Sequence, residues 1–318
     1  MKKGVINVLD LGELSKQETK RVLEVGGTNV IRADVYGTHI YNYVMLDTKS
    51  FASAMQIVEF AVKDLPLNNK AICYLIAGVV LPNGLIEKSP QVPMLNGRNF
   101  IEMTKAIYDG RIFIGNDMDG GAMGVSLLLP NLRYFINVVL GTGTNGRIVH
   151  EGKIICKGEY GHIIYKRDLS ARLCHCGLTG CYESEIGGWA LEKKIIESAR
   201  ILRIEIPEGL NPCCFLDMCF DRGDKWAVIM YQEIAYDIAH YFANLQSIAH
   251  APVFVLKGTF SVRGFPLIEK DVRSFMKDGM IIRKEWVDEI KFIISPEPKL
   301  DSIIGVAELE ERAFNELY

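Results

Sequence analysis

From residue 21 onward, apolar and polar positions run in short blocks separated by small turn residues. "RVLEVGGTNVIRADVYGTHIYNYVMLDT" reads as an apolar run, a Gly-Gly-Thr-Asn turn at 26–29, an alternating run, a Tyr-Gly turn and a third β-rich run. That order predicts a three-stranded meander. "SFASAMQIVEFAVKDL" changes to the helical period, "AICYLIAGVV" is a buried strand ending at Gly78, and "RIFIGND" is another that ends at Asn116-Asp117. Ahead of these, Ser15-x-x-Glu18 offers a helix start of the capping-box kind. Residues 1–116 therefore read as a small, strand-rich α/β domain.

The pattern then restarts. "YFINVVLGTGTNGRIVHEGKI" repeats strand, glycine-rich turn, strand, strand. A cysteine-rich loop and helices follow. "KWAVIMYQEIAYDIAHYFANLQSIAH" places Met230, Ile234, Ile238, Phe242 and Leu245 at helical spacing in one long amphipathic helix. It leads to a strand in "PVFVLKGTF". Two such units predict a duplicated α/β architecture, with a larger second domain over 117–302 and a cleft between two lobes. The closing stretch 303–318 carries a weak apolar stripe, which predicts a helix docking back on the first domain. No low-complexity or Pro/Gly-rich linker separates the halves, so a hinge is expected at element ends. "LPNGLIEKSPQVPMLNG" (81–97) reads as a loop.

At 318 residues there is room for two cores. Lys and Arg number 36 against 39 Asp and Glu, and the net charge of −3 gives no electrostatic case for nucleic acid or an anionic membrane. No apolar run approaches the roughly 20 residues of a membrane span. The opening "MKKGVINVLDLGELSKQ" meets acidic residues before any sustained apolar stretch, unlike a signal peptide. The expectation is a cytoplasmic protein.

Eight cysteines then need a reason. Cys73, Cys156, Cys213, Cys214 and Cys219 are scattered or lie in apolar surroundings, and read as buried free thiols. The other three sit in "GHIIYKRDLSARLCHCGLTGCYE" (161–183), spaced His162-x11-Cys174-x-Cys176-x4-Cys181. Three thiolates and one imidazole match a tetrahedral structural zinc site, closed to water. Gly177 and Gly180 let the chain turn tightly enough for the ligands to converge. A disulfide would leave an odd thiol and conflict with the compartment; a chance cluster is the other alternative. His175 is a rival ligand, but between two ligand cysteines it is expected to point away. Asp117, at the carboxyl end of a strand, is a candidate general base. Asp119 is its rival, and a plain turn aspartate is the bland reading.

Gly161-His162 followed by C-x-C-G-x-x-G-C-x-E resembles the signature of the ROK family of repressors and sugar kinases, within the hexokinase/actin-like superfamily. The resemblance extends through "EVGGTN", "IAGVV", "GNDMDGGAMG", "LGTGTNG", "GEYGH" and "VLKGTFS", in family order. It implies a two-lobed actin-like ATPase (ribonuclease H-like) fold and a glucokinase-like, ATP-dependent kinase acting on a hexose, at the 6-OH. An N-acetylmannosamine or N-acetylglucosamine kinase is the alternative. The resemblance implies Asp117 as the base, and Gly78, Asn116, Asp117, Glu159, His162 and Glu183 as sugar contacts. Glu24, Gly26, Gly27, Thr28, Asn29, Gly141, Thr142 and Gly143 would surround the ATP phosphates and Mg2+, with Gly258 at the adenosine. Zn2+ would be a brace, with one ring nitrogen of His162 on the metal and the other toward a sugar hydroxyl. A homodimer is implied as well.

Several positions depart from the family pattern. Glu24 stands where aspartate is usual, and the extra methylene could displace Mg2+ or its water by about 1 Å. Asn145 stands where glycine is common, in a turn whose left-handed angles asparagine tolerates. Thr259 replaces the second glycine of the adenosine motif. Gly120-Gly121 stand where alanines are usual and are expected to loosen a helix start. These departures leave room for a sugar-binding sensor that has lost catalysis. A DNA-binding repressor is disfavoured, because the roughly 20 residues before the first motif lack the bulk and charge of a helix-turn-helix.

Overall fold

The computed structural model describes residues 18–298 and 300–315. The expected helix start at Ser15 lies outside them, as do the last three residues of the expected C-terminal helix. At Thr19 the chain is already in a strand. β1 (Thr19–Val25), β2 (Asn29–Tyr36) and β3 (His39–Asp47) form the meander. α1 (Ala54–Val62), whose Gln56 N–H donates to the Ser53 hydroxyl, leads to β4 (Asn69–Ile76). Residues 81–97 were expected as a loop. Part of that stretch instead joins a small antiparallel sheet of β5 (Val79–Val80), β6 (Leu85–Lys88) and β7 (Arg98–Asn99). Strands of two to four residues show no alternation that a sequence reading could detect. α2 (Phe100–Lys105), β8 (Arg111–Asn116) and α3 (Asp117–Leu128) follow. The main sheet has the order β3-β2-β1-β4-β8, with β1, β4 and β8 parallel.

β9 (Tyr134–Leu140), β10 (Thr144–His150) and β11 (Lys153–Cys156) form a second meander. α4 (Glu183–Ile186), α5 (Gly188–Leu202), α6 (Pro212–Asp221) and α7 (Lys225–Ala249) precede β12 (Val253–Lys257). α8 (Thr259–Arg263), α9 (Phe265–Phe275) and α10 (Glu285–Glu289) precede β13 (Lys291–Ile294). The order β11-β10-β9-β12-β13, with β9, β12 and β13 parallel, reproduces the first sheet strand for strand. The duplication read from the sequence is present. α11 (Asp301–Asn315) closes the described chain, and among the described residues no helix is long and apolar enough to cross a membrane.

The described residues fall into two compact units, 18–133 with 151–154 and 300–315, and 134–150 with 155–298. The division falls after Arg133 rather than after Asn116, because α3 packs along α11 within the first unit. Glycines allow that packing. A Cβ on Gly124 would lie 1.8 Å from the Asp301 carbonyl oxygen, and one on Gly305 would lie 1.9 Å from that of Gly120. The expectation of a loosened helix start is therefore corrected: α3 is intact, and Gly120 lies where two helix backbones meet.

The first sheet is covered on both faces, with adjacent residues pointing to opposite sides. Leu23, Val25, Tyr74 and Ile76 pack with Ile57 and Val58 of α1 and Phe100 of α2. Val22, Val35, Cys73 and Leu75 pack with Ile303, Val306 and Ala307 of α11. In the second unit the α7 stripe of Met230, Ile234, Ile238, Phe242 and Leu245 is buried as expected. Each such side chain contributes about 1.5–3 kcal/mol on burial.

Candidate functional site

The parallel strands of the first unit end together. Val25 is in register with Ile76, and Ile76 with Asn116. The 26–29 turn, Gly78 and Asp117 therefore follow strands that stop along one carboxyl edge, where α/β folds present ligand-binding groups. The Gly26 N–H donates to the Asn29 carbonyl at 3.0 Å. Thr48, which the sequence did not flag, ties this turn from outside: its hydroxyl donates to the Gly26 carbonyl at 2.8 Å and its N–H to that of Thr28 at 2.9 Å. Glu24 precedes the turn, half-buried on β1, and the Ser302 hydroxyl of α11 donates to its Oε2 at 2.6 Å.

Asn116 caps α3. Its Oδ1 accepts the Met118 N–H at 2.8 Å, and its Nδ2 donates to the Gly78 carbonyl at 3.0 Å. A sugar contact by Asn116 would have to share an amide already tied to the protein. Asp117 is the first residue of the helix and half-buried, where a carboxylate is favoured by the helix dipole and remains accessible. Its rival Asp119 is only 8% exposed. A Cβ on Gly78 would lie 2.3 Å from the Lys88 carbonyl oxygen, so its role in packing is fixed whatever it touches besides.

The second unit repeats this edge. Lys257, the end of β12, is in register with Val139, so Gly258 and the 141–143 turn lie beside one another. Gly258 has a φ of +98°, and a Cβ there would meet the Leu140 carbonyl oxygen at 2.5 Å; glycine is required on both counts. The start of α5 braces the turn, the Gly188 N–H donating to the Gly141 carbonyl at 2.7 Å and the Trp189 N–H to that of Thr142 at 3.3 Å. Thr259 is exposed at the first position of α8.

Asn145 is not the turn residue expected. It is the second residue of β10 and is not among the residues at positive φ. Its Oδ1 accepts the N–H groups of Gly146 and Tyr160 at 2.8 and 3.0 Å, and its Nδ2 donates to Glu159 Oε2 at 2.6 Å. The preceding residue holds the second carboxylate: the Thr144 N–H donates to Glu183 Oε2 at 3.2 Å. Glu159 and Glu183 are thus both tied to the residues that leave the glycine turn.

The cysteine-rich loop brings its four expected ligands together. Ligand atoms of His162, Cys174, Cys176 and Cys181 all lie within 4.8 Å of one another. His162 Nδ1 is 3.8 Å from both Cys174 Sγ and Cys181 Sγ. A tetrahedron with zinc–sulfur bonds of about 2.3 Å has edges of about 3.8 Å, so the donor set and its spacing fit zinc. Gly177 and Gly180 turn the loop at φ +94° and +78°. His175 is outside the set, stacked on Trp189 with ring centres 4.1 Å apart. The hydrogen bond between Cys174 and Cys181 holds the Cys181 thiol down to about 4, with help from His162, and pushes Cys174 up. His162 is raised, first by its hydrogen bond with Cys181. With Nδ1 turned to the sulfurs, Nε2 occupies the opposite edge of the ring. Cys174 Sγ also lies 3.8 Å from Glu183 Oε1, so Glu183 stands between this cluster and the turn.

The remaining cysteines do not all match the expectation of burial. Cys73 and Cys219 are buried, Cys213 and Cys214 half-buried, and Cys156 exposed at the end of the edge strand β11.

Two sheets of one topology, each with a glycine turn at the carboxyl edge of its first strand, are the actin-like ATPase fold, shared with solved ROK sugar kinases. Within that class the chain belongs to the ROK family, whose profile matches residues 23–312. It is similar to the N-acetylgalactosamine kinase AgaK of Shewanella sp. (strain ANA-3), 30% identical over 129 residues that cover 36% of this chain and 42% of the relative. It is also similar to a glucokinase of Streptomyces coelicolor, 25% identical over 192 residues, covering 56% and 59%. The chain thus spans about half the length of these curated relatives. A ROK family glucokinase from Streptomyces griseus, solved with glucose and AMPPNP, superposes with a TM-score of 0.73 at 20% identity, over 92% of this chain and 99% of that one.

Proposed function

We propose that the protein is an ATP-dependent sugar kinase that transfers the γ-phosphate to a hydroxyl, the 6-OH, of a hexose or an N-acetylhexosamine. The observation that carries this reading is Asp117, an accessible carboxylate at a strand end, next to Asn116, which caps α3 and is tethered to the Gly78 carbonyl. The sugar oxygen attacks the γ-phosphorus, its proton passes to Asp117, and ADP leaves with the bridging oxygen. Glu159, Glu183 and His162 Nε2 pair with the sugar hydroxyls, which would otherwise cost about 1–3 kcal/mol each when buried without a partner. The turns at 26–29 and 141–143 receive the phosphates on backbone N–H groups, with Gly258 leaving room for the adenosine. Glu24 would hold Mg2+, which would supply charge neutralisation at those phosphates. His162, Cys174, Cys176 and Cys181 would hold zinc, which would supply rigidity to the wall that carries Glu183. Reduced thiols suit a cytoplasmic setting, and a homodimer is proposed on the family resemblance alone.

A panel of hexoses and N-acetylhexosamines, assayed for sugar-dependent ADP release, tests this reading. Turnover with at least one member supports it and names the acceptor. Sugar binding without phosphate transfer at any Mg2+ concentration would favour the sensor instead.

A further inference from the structure

Of the two carboxylates proposed to hold the sugar, Glu159 is the less confined. Its side chain is 48% exposed, and it stands just before the short turn at Tyr160–His162, with no side-chain capping bond of its own. A solvated glutamate in that position would sample several rotamers, and ordering it would weaken every contact it makes to a ligand. Two neighbours on β10 prevent this.

Asn145 is oriented without ambiguity. Two backbone N–H groups, from Gly146 at 2.8 Å and Tyr160 at 3.0 Å, both point at one amide atom, which must therefore be the oxygen. The Nδ2 group is left facing Glu159 Oε2 at 2.6 Å, as a donor to a charged acceptor. On the other carboxylate oxygen, the buried Arg147 guanidinium lies 3.8 Å from Oε1. Arg147 is itself anchored by hydrogen bonds to the carbonyls of Gly146 and Gly158. One side chain thus ties the strand leaving the 141–143 turn to the residue pair 159–160.

We infer that Asn145 is a positioning residue that presents the Glu159 carboxylate to the sugar and sets sugar affinity through it. This rests on the proposed role of Glu159 as a sugar ligand. Because Asn145 follows the phosphate turn by two residues, a nucleotide on that turn and a sugar on Glu159 act on the same link. Whatever change a bound nucleotide makes in sugar affinity through this link, the sugar makes equally in nucleotide affinity, as reciprocity requires.

The test exchanges the polarity of the pair. Asn145→Asp keeps the oxygen that accepts the two backbone N–H groups but replaces the donor with a charge that repels Glu159. Sugar affinity, measured by calorimetry for the panel member that binds wild type best, should fall by about tenfold or more, the value of one hydrogen bond to a charged group. The KM for ATP should change less than the KM for sugar. Because Glu159→Gln alone also weakens a sugar contact, it is the reference for the pair. Adding it restores a donor opposite the new carboxylate, so Asn145→Asp should cost much less affinity in the Glu159→Gln background than in the wild type. The change in sugar affinity caused by AMPPNP should be smaller in Asn145→Asp than in the wild type. Zinc content and melting temperature report whether either variant has simply lost its fold. Wild-type binding with no loss in Asn145→Asp, or an Asn145→Asp loss that is equally large in the wild-type and Glu159→Gln backgrounds, overturns the inference alone. Failure of the wild type to bind any sugar of the panel overturns the role of Glu159 and the inference with it.

Discussion

The Ser302 hydroxyl donates to Glu24 Oε2 at 2.6 Å, joining the closing helix of the first unit to the residue that leads into its glycine turn. Ser302 is 1% exposed, so its hydroxyl has few other conformations. The longer side chain of glutamate, where the family pattern has aspartate, is thereby held in one place. One oxygen is occupied by the serine and the carboxylate cannot swing freely.

Ser302→Ala removes that restraint and little volume. The Mg2+ concentration giving half-maximal turnover should rise by about threefold to tenfold, in line with the net value of a typical hydrogen bond. A melting curve close to wild type would show that the effect is local. An unchanged Mg2+ dependence would show that Glu24 does not need the tether.

The zinc reading makes a prediction about loading as well as stability. Purified protein should carry close to one zinc per chain. Cys176→Ser should lower that stoichiometry and raise the KM for sugar by about tenfold or more, because the wall bearing His162 and Glu183 loses its brace. Atomic emission on the untreated protein checks the first part. A metal-free wild type that still binds sugar would remove zinc from the account.

Two sites in the first unit test the fold independently of any ligand. Arg21 Nε donates to Asp34 Oδ1 at 2.6 Å with both side chains almost fully buried, and the guanidinium also reaches the carbonyls of Ala61, Lys63 and Asp64. Asp34→Ala leaves that cation uncompensated and should cost about 3–5 kcal/mol in denaturant unfolding.

Gly305→Ala acts at the contact of α3 with α11. The new methyl would lie 1.9 Å from the Gly120 carbonyl oxygen, a backbone atom that cannot turn aside. Overpacking of this kind costs about 1–3 kcal/mol or more, so the melting temperature should fall by several degrees. An unchanged melting temperature would mean that the helices separate at no cost.

Sequence and structure agree where the signal is local. The strand blocks and glycine turns at 26–29 and 141–143 announce the duplicated meanders because side chains alternate with a period of two. The spacing of Cys174, Cys176 and Cys181 marks their convergence because short loops with glycines have few other ways to place three thiols. What escaped depends on partners far along the chain. Gly120 reads as a weakness in a helix until Gly305 is seen against it. A strand end at Asn116 suggests the edge of the first unit, whereas the packing of α3 on α11 carries that unit on to Arg133. Asn145 reads as a substitute for glycine, because nothing in a glycine-rich run points to its bond with Glu159. Thr48 and Ser302 carry no motif at all.

Asp117 is the residue on which the proposed chemistry turns, and the Asp117→Asn variant tests it most directly. Sugar affinity by calorimetry and sugar-dependent ADP release should be measured on the same preparation. Binding within a few-fold of wild type, with turnover reduced by about a hundredfold to ten-thousandfold, is the result expected for loss of a general base. Turnover equal to wild type would contradict the assignment of Asp117 and the mechanism built on it.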